Sequence, residues 1–384
     1  MRKKVLQSLL SWGLLLALTG AIFLYTAGYR IGRDGDSVNV DITQTGMINV
    51  KSDPDGANVY LDDELKIATN GGLPGLTPGK YNLKILKNGF VTWEKQVEVF
   101  SQLVTDITAV LVSQSPRLEP LTNTGAREPT MSPTLSKLAF FTKDGEDPGV
   151  WVIPLIGESL SLFRSNPYVA LKDLPGIVYS DGLSIEWAPD ETDLLVQDVN
   201  GNFYLVDIQS GEVTNVLDPE IVREGWTAEN TEKRLDFIER LDIRADLREV
   251  AVALETVWAP DGKKFLYQVD VGGNIEYRVY NMEKPLPIGE KTETTALVIP
   301  IDSPQPAVSW YADSFHLILV ELDEETESRG KISLIRIDGT NKVEVFNNTL
   351  YSDKVYSAPG GDKLILLTSF KSGSQTDLYT VGIR

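Results

Sequence analysis

The order of apolar and polar residues divides the chain into stretches of different period. From Val5 to Tyr29 no residue carries a formal charge, and runs such as Leu14-Leu15-Leu16-Ala17-Leu18 and Ala21-Ile22-Phe23-Leu24 keep it apolar. A run of this length predicts a helix able to span a bilayer. Between residues 46 and 112 the period changes to two, in Tyr81 to Leu86 and Val91 to Val99 among others, which predicts strands with one buried face. Beyond residue 117 short apolar strands recur between polar turns, for example Leu194-Leu195-Val196, Phe203 to Ile208 and Val213 to Leu217. One insertion, 218–250, departs from this pattern. Within it Leu235, Ile238 and Leu241 fall at helical spacing between charges, so Thr231 to Leu241 is expected to form an amphipathic helix.

The recurring strands are led by a tag. It reads Trp187-Ala188-Pro189-Asp190, Trp258-Ala259-Pro260-Asp261-Gly262, Trp310-Tyr311-Ala312-Asp313-Ser314 and Tyr356-Ser357-Ala358-Pro359-Gly360, with a degenerate copy at Met131-Ser132-Pro133-Thr134. With the insertion set aside, the intervals fit the roughly 40 to 50 residues of one propeller blade. Pro-Asp-Gly favours a tight turn, because Pro fixes φ, Asp bonds its own backbone and Gly accepts positive φ. The ring before it suits a wedge between neighbouring blades. Residues 117–384 resemble the TolB-type, WD-like β-propeller repeats of bacterial envelope proteins. The resemblance implies an all-β propeller of about five blades, or six if 156–184 folds as a degenerate one; the competing reading is a β-sandwich with coincidental Trp spacing. Only two strands follow Tyr356, so 117–122 is expected to pair with the C-terminal strand and close the ring.

A second resemblance covers 46–112. Ser52-Asp53-Pro54-Asp55-Gly56-Ala57-Asn58-Val59-Tyr60-Leu61-Asp62, Pro78-Gly79-Lys80-Tyr81 and Gly89-Phe90 resemble the PEGA domain, with Asp63 standing where that family usually has Gly. The resemblance implies a small β-sandwich that acts in adhesion or as a spacer, without chemistry. Ahead of it, 30–45 is expected to be a linker, 5–29 a transmembrane signal anchor and 1–4 a short cytoplasmic tail. Arg2, Lys3 and Lys4 set the N-terminus inside by the positive-inside bias. The alternative is a cleaved signal peptide, although Tyr25-Thr26-Ala27 puts a ring where a small residue is expected. Either way the bulk of the chain is expected outside the cytoplasm.

Composition narrows the chemistry. The 384 residues carry 36 basic and 55 acidic side chains, a net −19, which disfavours nucleic acid as a partner. There is no Cys and a single His, His316, set at the entry to a strand where a structural role is expected. No Gly-x-Ser-x-Gly elbow, phosphate-binding Gly-rich Lys loop or His/Cys metal cluster occurs. Ser180-Asp181-Gly182 reads as the lead into a blade rather than a sialidase-like box, and Asp198 to Asn202 as a hairpin turn rather than a calcium loop. The acidic run Glu321 to Glu327 reads as a solvated loop. No catalytic residue, metal ligand or cofactor is assigned, and the binding residues are unknown. The expected function is a membrane-anchored binding or scaffold protein of the cell envelope, with an envelope protein or cell-wall polymer as partner. The alternative is a carboxylate-dependent enzyme acting on envelope glycans.

Overall fold

Each aromatic-led tag closes the innermost strand of a four-stranded antiparallel sheet. The structure, a computed structural model, describes residues 2–26, 29–32, 41–155, 167–323, 328–370 and 375–384. It divides into two compact units, Met1–Leu111 with Pro285–Glu290, and Val112–Lys284 with Lys291–Arg384.

In the first unit, helix α1 (Arg2–Thr26) stops short of the expected 5–29 span. Among the described residues no helix is long and apolar enough to cross a membrane. Within 10–25 the side chains of Leu14, Leu16 and Phe23 are exposed. The expected linker is not wholly irregular, because β1 (Tyr29–Gly32) pairs with β2 (Asp41–Gln44) over short alternating segments; 33–40 lie outside the described residues. Strands β3 (Gly46–Asp53), β4 (Asn58–Leu61), β5 (Glu64–Ala68), β6 (Gly71–Leu76), β7 (Gly79–Leu86), β8 (Trp93–Val99) and β9 (Val104–Val110) form two sheets, ordered β6-β3-β9 and β5-β4-β7-β8. Both sheets give their inward residues to one core, with Ile48 and Ala109 from one and Val59, Leu83, Ile85 and Trp93 from the other. This is the expected sandwich. Asp62 and Asp63 both take positive φ, 49° and 64°, as a two-residue hairpin turn of the primed type requires. Asp62 Oδ1 accepts the Asn82 N–H at 2.8 Å, which fixes the first turn residue, while Asp63, where Gly is usual, takes the left-handed conformation itself.

The second unit is the propeller. Its first blade is β11 (Arg127–Met131), β12 (Lys137–Thr142), β13 (Gly149–Pro154) and β14 (Tyr168–Lys172). The second is β15 (Ser184–Trp187), β16 (Asp193–Gln197), β17 (Phe203–Asp207) and β18 (Val213–Val216). The third is β19 (Val257–Trp258), β20 (Lys264–Val271), β21 (Asn274–Asn281) and β22 (Glu293–Pro300), and the fourth β23 (Ala307–Trp310), β24 (His316–Leu322), β25 (Arg329–Arg336) and β26 (Val343–Thr349). The fifth joins both ends of the unit: β27 (Tyr356–Ser357), β28 (Lys363–Thr368) and β29 (Asp377–Gly382) are completed by β10 (Leu118–Pro120). Leu118 pairs with Val381 and Pro120 with Tyr379, so the early strand closes the ring. The stretch weighed as a sixth blade supplies β14 and a loop instead, and its residues 156–166 lie outside the described ones.

Five turns share one backbone conformation. Leu135, Glu191, Gly262, Ser314 and Gly361 occupy the same place in the turns that follow the innermost strands and have φ of 60°, 60°, 64°, 60° and 63°. A non-Gly residue there costs about 1 to 2 kcal/mol. Two of the three non-Gly residues offset this with bonds to the preceding blade. Glu191 accepts the Thr134 N–H at 2.6 Å and the Ser136 hydroxyl at 2.9 Å, and Ser314 Oγ accepts the Asp261 N–H at 3.1 Å.

The helical insertion begins earlier than its apolar spacing suggests. Helix α2 spans Pro219–Glu239, capped by Asp218, whose Oδ1 accepts the Glu220 N–H at 3.1 Å. A 3-10 turn (Ala245–Leu247) and α3 (Arg248–Val252) follow. Ile238, Ile243, Leu247 and Ala251 pack on Phe265, Tyr267 and Tyr280 of the third blade, while Arg223 bonds Glu186 of the second. The insertion therefore sits between the second and third blades, where the other seams join strand to strand.

Candidate interaction surface

The second blade presents an apolar rim at one end. Its strands align Ser184 with Gln197, Gln197 with Phe203 and Phe203 with Val216, so the residues beyond this row line one end of the blade. These are Leu183, Val199 and Leu217, followed by Ile221 in the first turn of α2. All four are exposed, Leu217 at 98% and Ile221 at 68%. A Leu immediately before a helix cap commonly packs back on the first turn as a staple. Leu217 does not, and its whole side chain faces solvent.

Beneath the rim the polar groups are fixed. Asp198 is buried, and its carboxylate accepts the N–H groups of Asn200 (2.9 Å) and Asn202 (2.8 Å) and the Asn202 side-chain amide (3.0 Å). Burial works against ionisation here, but the bonds from Asn202 and Asn200 outweigh it and hold the carboxyl below its ordinary range. Its acceptor capacity is used by its own hairpin, in keeping with a turn and not a cation loop. Tyr204 meets Tyr179 edge to face at 5.0 Å, which ties this hairpin to the preceding 173–183 loop. In that loop Asp173 accepts the Tyr179 N–H, the Ser180 N–H and the Ser180 hydroxyl at 2.7 to 2.8 Å, and Arg127 donates to the Ser180 carbonyl at 2.8 Å. A Cβ on Gly182 would lie 2.4 Å from the Phe141 ring, so the backbone there packs too closely for any side chain. Ser180-Asp181-Gly182 is thus the lead into a blade. The loop presents Leu174 and Val178, both exposed.

The helical side of the rim is clamped by Arg223. It donates Nε and Nη2 to Glu186, the latter at 2.6 Å, donates Nη1 to Glu220 at 2.5 Å, and lies over the Phe203 ring at 5.2 Å. The bonds to Glu186 lead in raising its pKa further above the usual value. Asp218, Glu220 and Glu224 are exposed around the apolar residues, so the patch has an acidic border.

The other sequence candidates are structural. His316 is buried, with Nδ1 2.6 Å from Asp313 Oδ2, and Asp313 also accepts the N–H groups of Phe315 and His316. Burial opposes ionisation of Asp313, yet His316 and these bonds lower its pKa. His316 stands two residues past the left-handed residue of its turn, where the third turn has Lys264, 2.6 Å from Asp261. It holds the Asp of its own turn, as Lys264 does in the third. Among the described residues no group of three His, Cys, Asp or Glu could hold a metal ion. Among the described residues the carboxylates with shifted pKa values, Asp190, Glu191, Asp198, Asp207, Asp242, Asp246, Glu293 and Asp313, are shifted down. Of the acidic run, 324–327 lie outside the described residues.

Comparison with known proteins gives one family match and several distant structural likenesses. Residues 45–115 match the PEGA domain model. The first unit holds a PEGA domain. Among solved structures the chain is similar to TolB from Acinetobacter baumannii, at 15% identity over 79% of this chain and 59% of that one, with a TM-score of 0.23. It is also similar to oligogalacturonate lyase from Vibrio parahaemolyticus, at 13% identity over 79% of this chain and 86% of that one, TM-score 0.31. A third, the acylaminoacyl peptidase of Pyrococcus horikoshii, shares 12% identity over 67% of this chain and 39% of that one, TM-score 0.21. The chain thus spans 59% of the length of TolB. No curated protein matched. The protein joins a PEGA domain to a β-propeller, and the rim lies on the propeller.

Sequence reading did not single out Leu183, Val199, Leu217 or Ile221. Asp218-Pro219 was a legible helix start. It would have placed Leu217 just outside a helix, but not in solvent.

Proposed function

We propose that this protein is a membrane-anchored, extracytoplasmic binding or scaffold protein of the cell envelope, whose propeller docks another envelope protein at the rim of its second blade. The observation that carries the reading is Leu217, fully exposed beside Ile221 on a base immobilised by Asp198, Asp173 and Arg223. Exposed apolar residues along one end of a rigid blade, with a polar border, have the anatomy of a protein interface. The acidic border favours a partner whose apolar anchor is flanked by Lys or Arg. The PEGA domain serves as spacer or wall contact. Val5 to Tyr29 supplies the anchor, with the N-terminus inside. An envelope-glycan enzyme would need a carboxylate held protonated in a pocket, and no observation favours that reading.

The test is a pull-down from solubilised envelope with the full chain, its Leu217→Asp/Ile221→Asp variant and a control variant altered on the fourth blade. Loss of one retained protein by the rim variant alone supports the reading. Equal retention by all three removes the rim as the docking site.

A further inference from the structure

The two poles of the PEGA sandwich differ in charge. Its first and last strands, β3 and β9, pair in parallel from Met47 with Val104 to Asp53 with Val110. Parallel pairing brings the chain in at one pole and out at the other, roughly 20 Å away at about 3.3 Å per residue. The registers of Gly46 with Leu76 and Gly79 with Val99 put the 76–79 loop and the β8–β9 hairpin at the entry pole. The hairpin is fixed there, because the Gln102 N–H donates to the Thr45 carbonyl at 3.0 Å and a Cβ on Gly46 would overlap the Phe100 carbonyl.

The segments that meet at this pole, 42–47, 76–79 and 99–104, hold no formal charge. Phe100, Leu103 and Val104 are exposed there, at 37%, 46% and 43%. Lys80 and Glu98, the next charges inward on β7 and β8, stand opposite each other. The exit pole is the reverse, with Asp53, Asp55 and Lys87, whose ammonium donates to the Asp55 carbonyl at 2.6 Å. In a chain of net −19, an uncharged pole with exposed apolar side chains suits a surface that excludes ions.

The entering chain indicates which surface. The β1–β2 register sets Tyr29, the last residue of the charge-free run, beside Gln44. Ser101 of the hairpin donates its hydroxyl to Gln44 Oε1 at 3.2 Å. The end of that run therefore lies one strand spacing, about 4.8 Å, from a residue that touches the hairpin. Within α1, Leu14, Leu15, Leu16 and Leu24 fall on four sides of the helix and all are exposed. The one polar side chain between Leu14 and Leu24, Thr19, donates back to the Leu15 carbonyl at 2.8 Å. A helix apolar on every side belongs in an apolar medium, so its end marks the level of the membrane interface.

Resting on the reading of Val5 to Tyr29 as an anchor, we infer that the PEGA domain sits on the bilayer by its entry pole, with Phe100, Leu103 and Val104 at headgroup level. Side chains of this kind favour that depth. Three of them suffice because the anchor makes the contact intramolecular. The domain then stands as a spacer that carries the chain from the interface at Thr45 to Val110 at its far pole.

The chain lacks Cys, so single ones can carry an environment-sensitive dye. Full chains labelled at Leu103→Cys or at Asp55→Cys of the exit pole are reconstituted in phosphatidylcholine vesicles, with or without nitroxide-bearing lipid, and floated. Flotation is expected, with the Leu103→Cys dye shifted to the blue and quenched by nitroxide and the Asp55→Cys dye unaffected. Adding Phe100→Asp to Leu103→Cys should lower the quenching; unchanged quenching means that the dye inserts by itself and overturns the contact. A chain that does not float rejects the anchor and the contact with it. A chain that floats with its two dyes equally quenched, or with the Leu103→Cys dye shielded from water yet unquenched, overturns the contact and leaves the anchor standing.

Discussion

Trp310 donates its indole N–H to the Val257 carbonyl at 2.8 Å, from the inner strand of the fourth blade to that of the third. The same bond recurs between Trp187 and the Thr130 carbonyl at 3.0 Å, from the second blade to the first. At the seam filled by the insertion, Trp258 donates instead to the Ala251 carbonyl of α3, at 3.0 Å. At the closing seam, where Met131 offers no ring, the Tyr356 hydroxyl donates forward to the Pro129 carbonyl at 3.1 Å. The tag aromatics are therefore fasteners with one polar tooth each.

Removing that tooth should weaken the ring. Trp310→Phe keeps most of the buried ring but leaves the Val257 carbonyl without its donor, and is expected to lose about 1 to 3 kcal/mol in urea unfolding. An unchanged midpoint would mean that ring burial alone holds the seam.

Glu191 should make the propeller acid-sensitive. Burial opposes its ionisation, but bonds from Thr134, Ser136 and Ser132 hold its pKa at about 2, below the ordinary 4.5. Because the folded-state value is depressed, the stabilisation is complete above pH 4.5 and is lost as pH falls towards about 2. A shift of this size corresponds to about 3 kcal/mol. Urea midpoints of the parent should fall across this window more steeply than those of Glu191→Gln; parallel curves would refute the assignment.

If His316 serves only to hold Asp313, the Lys of the third turn should replace it. His316→Ala leaves the buried side of the Asp313 carboxylate without its hydrogen-bond partner and is expected to destabilise by about 1 to 3 kcal/mol. His316→Lys should recover most of that loss, since the third turn pairs Lys264 with Asp261. A His316→Lys variant as unstable as His316→Ala would point to a role specific to imidazole.

The rim and the topology can be probed without disturbing the fold. Leu217→Asp lies at a fully exposed position and should change stability by no more than about 0.5 kcal/mol. The chain has no Cys, so a single one introduced as Ser210→Cys, in an exposed turn, is a unique label. Labelling by a membrane-impermeant maleimide in spheroplasts is expected; labelling only after lysis would place the propeller in the cytoplasm.

Local patterns were sufficient for the architecture. Period-two strands, tags led by an aromatic and the missing outer strand after Tyr356 determined the propeller and its closure by Leu118–Pro120, because turn chemistry and strand alternation are written in neighbouring residues. The PEGA domain was legible for the same reason. The tertiary structure alone decided the rest. Whether Leu217 staples its own helix or faces solvent depends on what lies across from it, and residues far apart in the chain supply that: the Asp198 hairpin, the Asp173 loop and the Arg223 clamp.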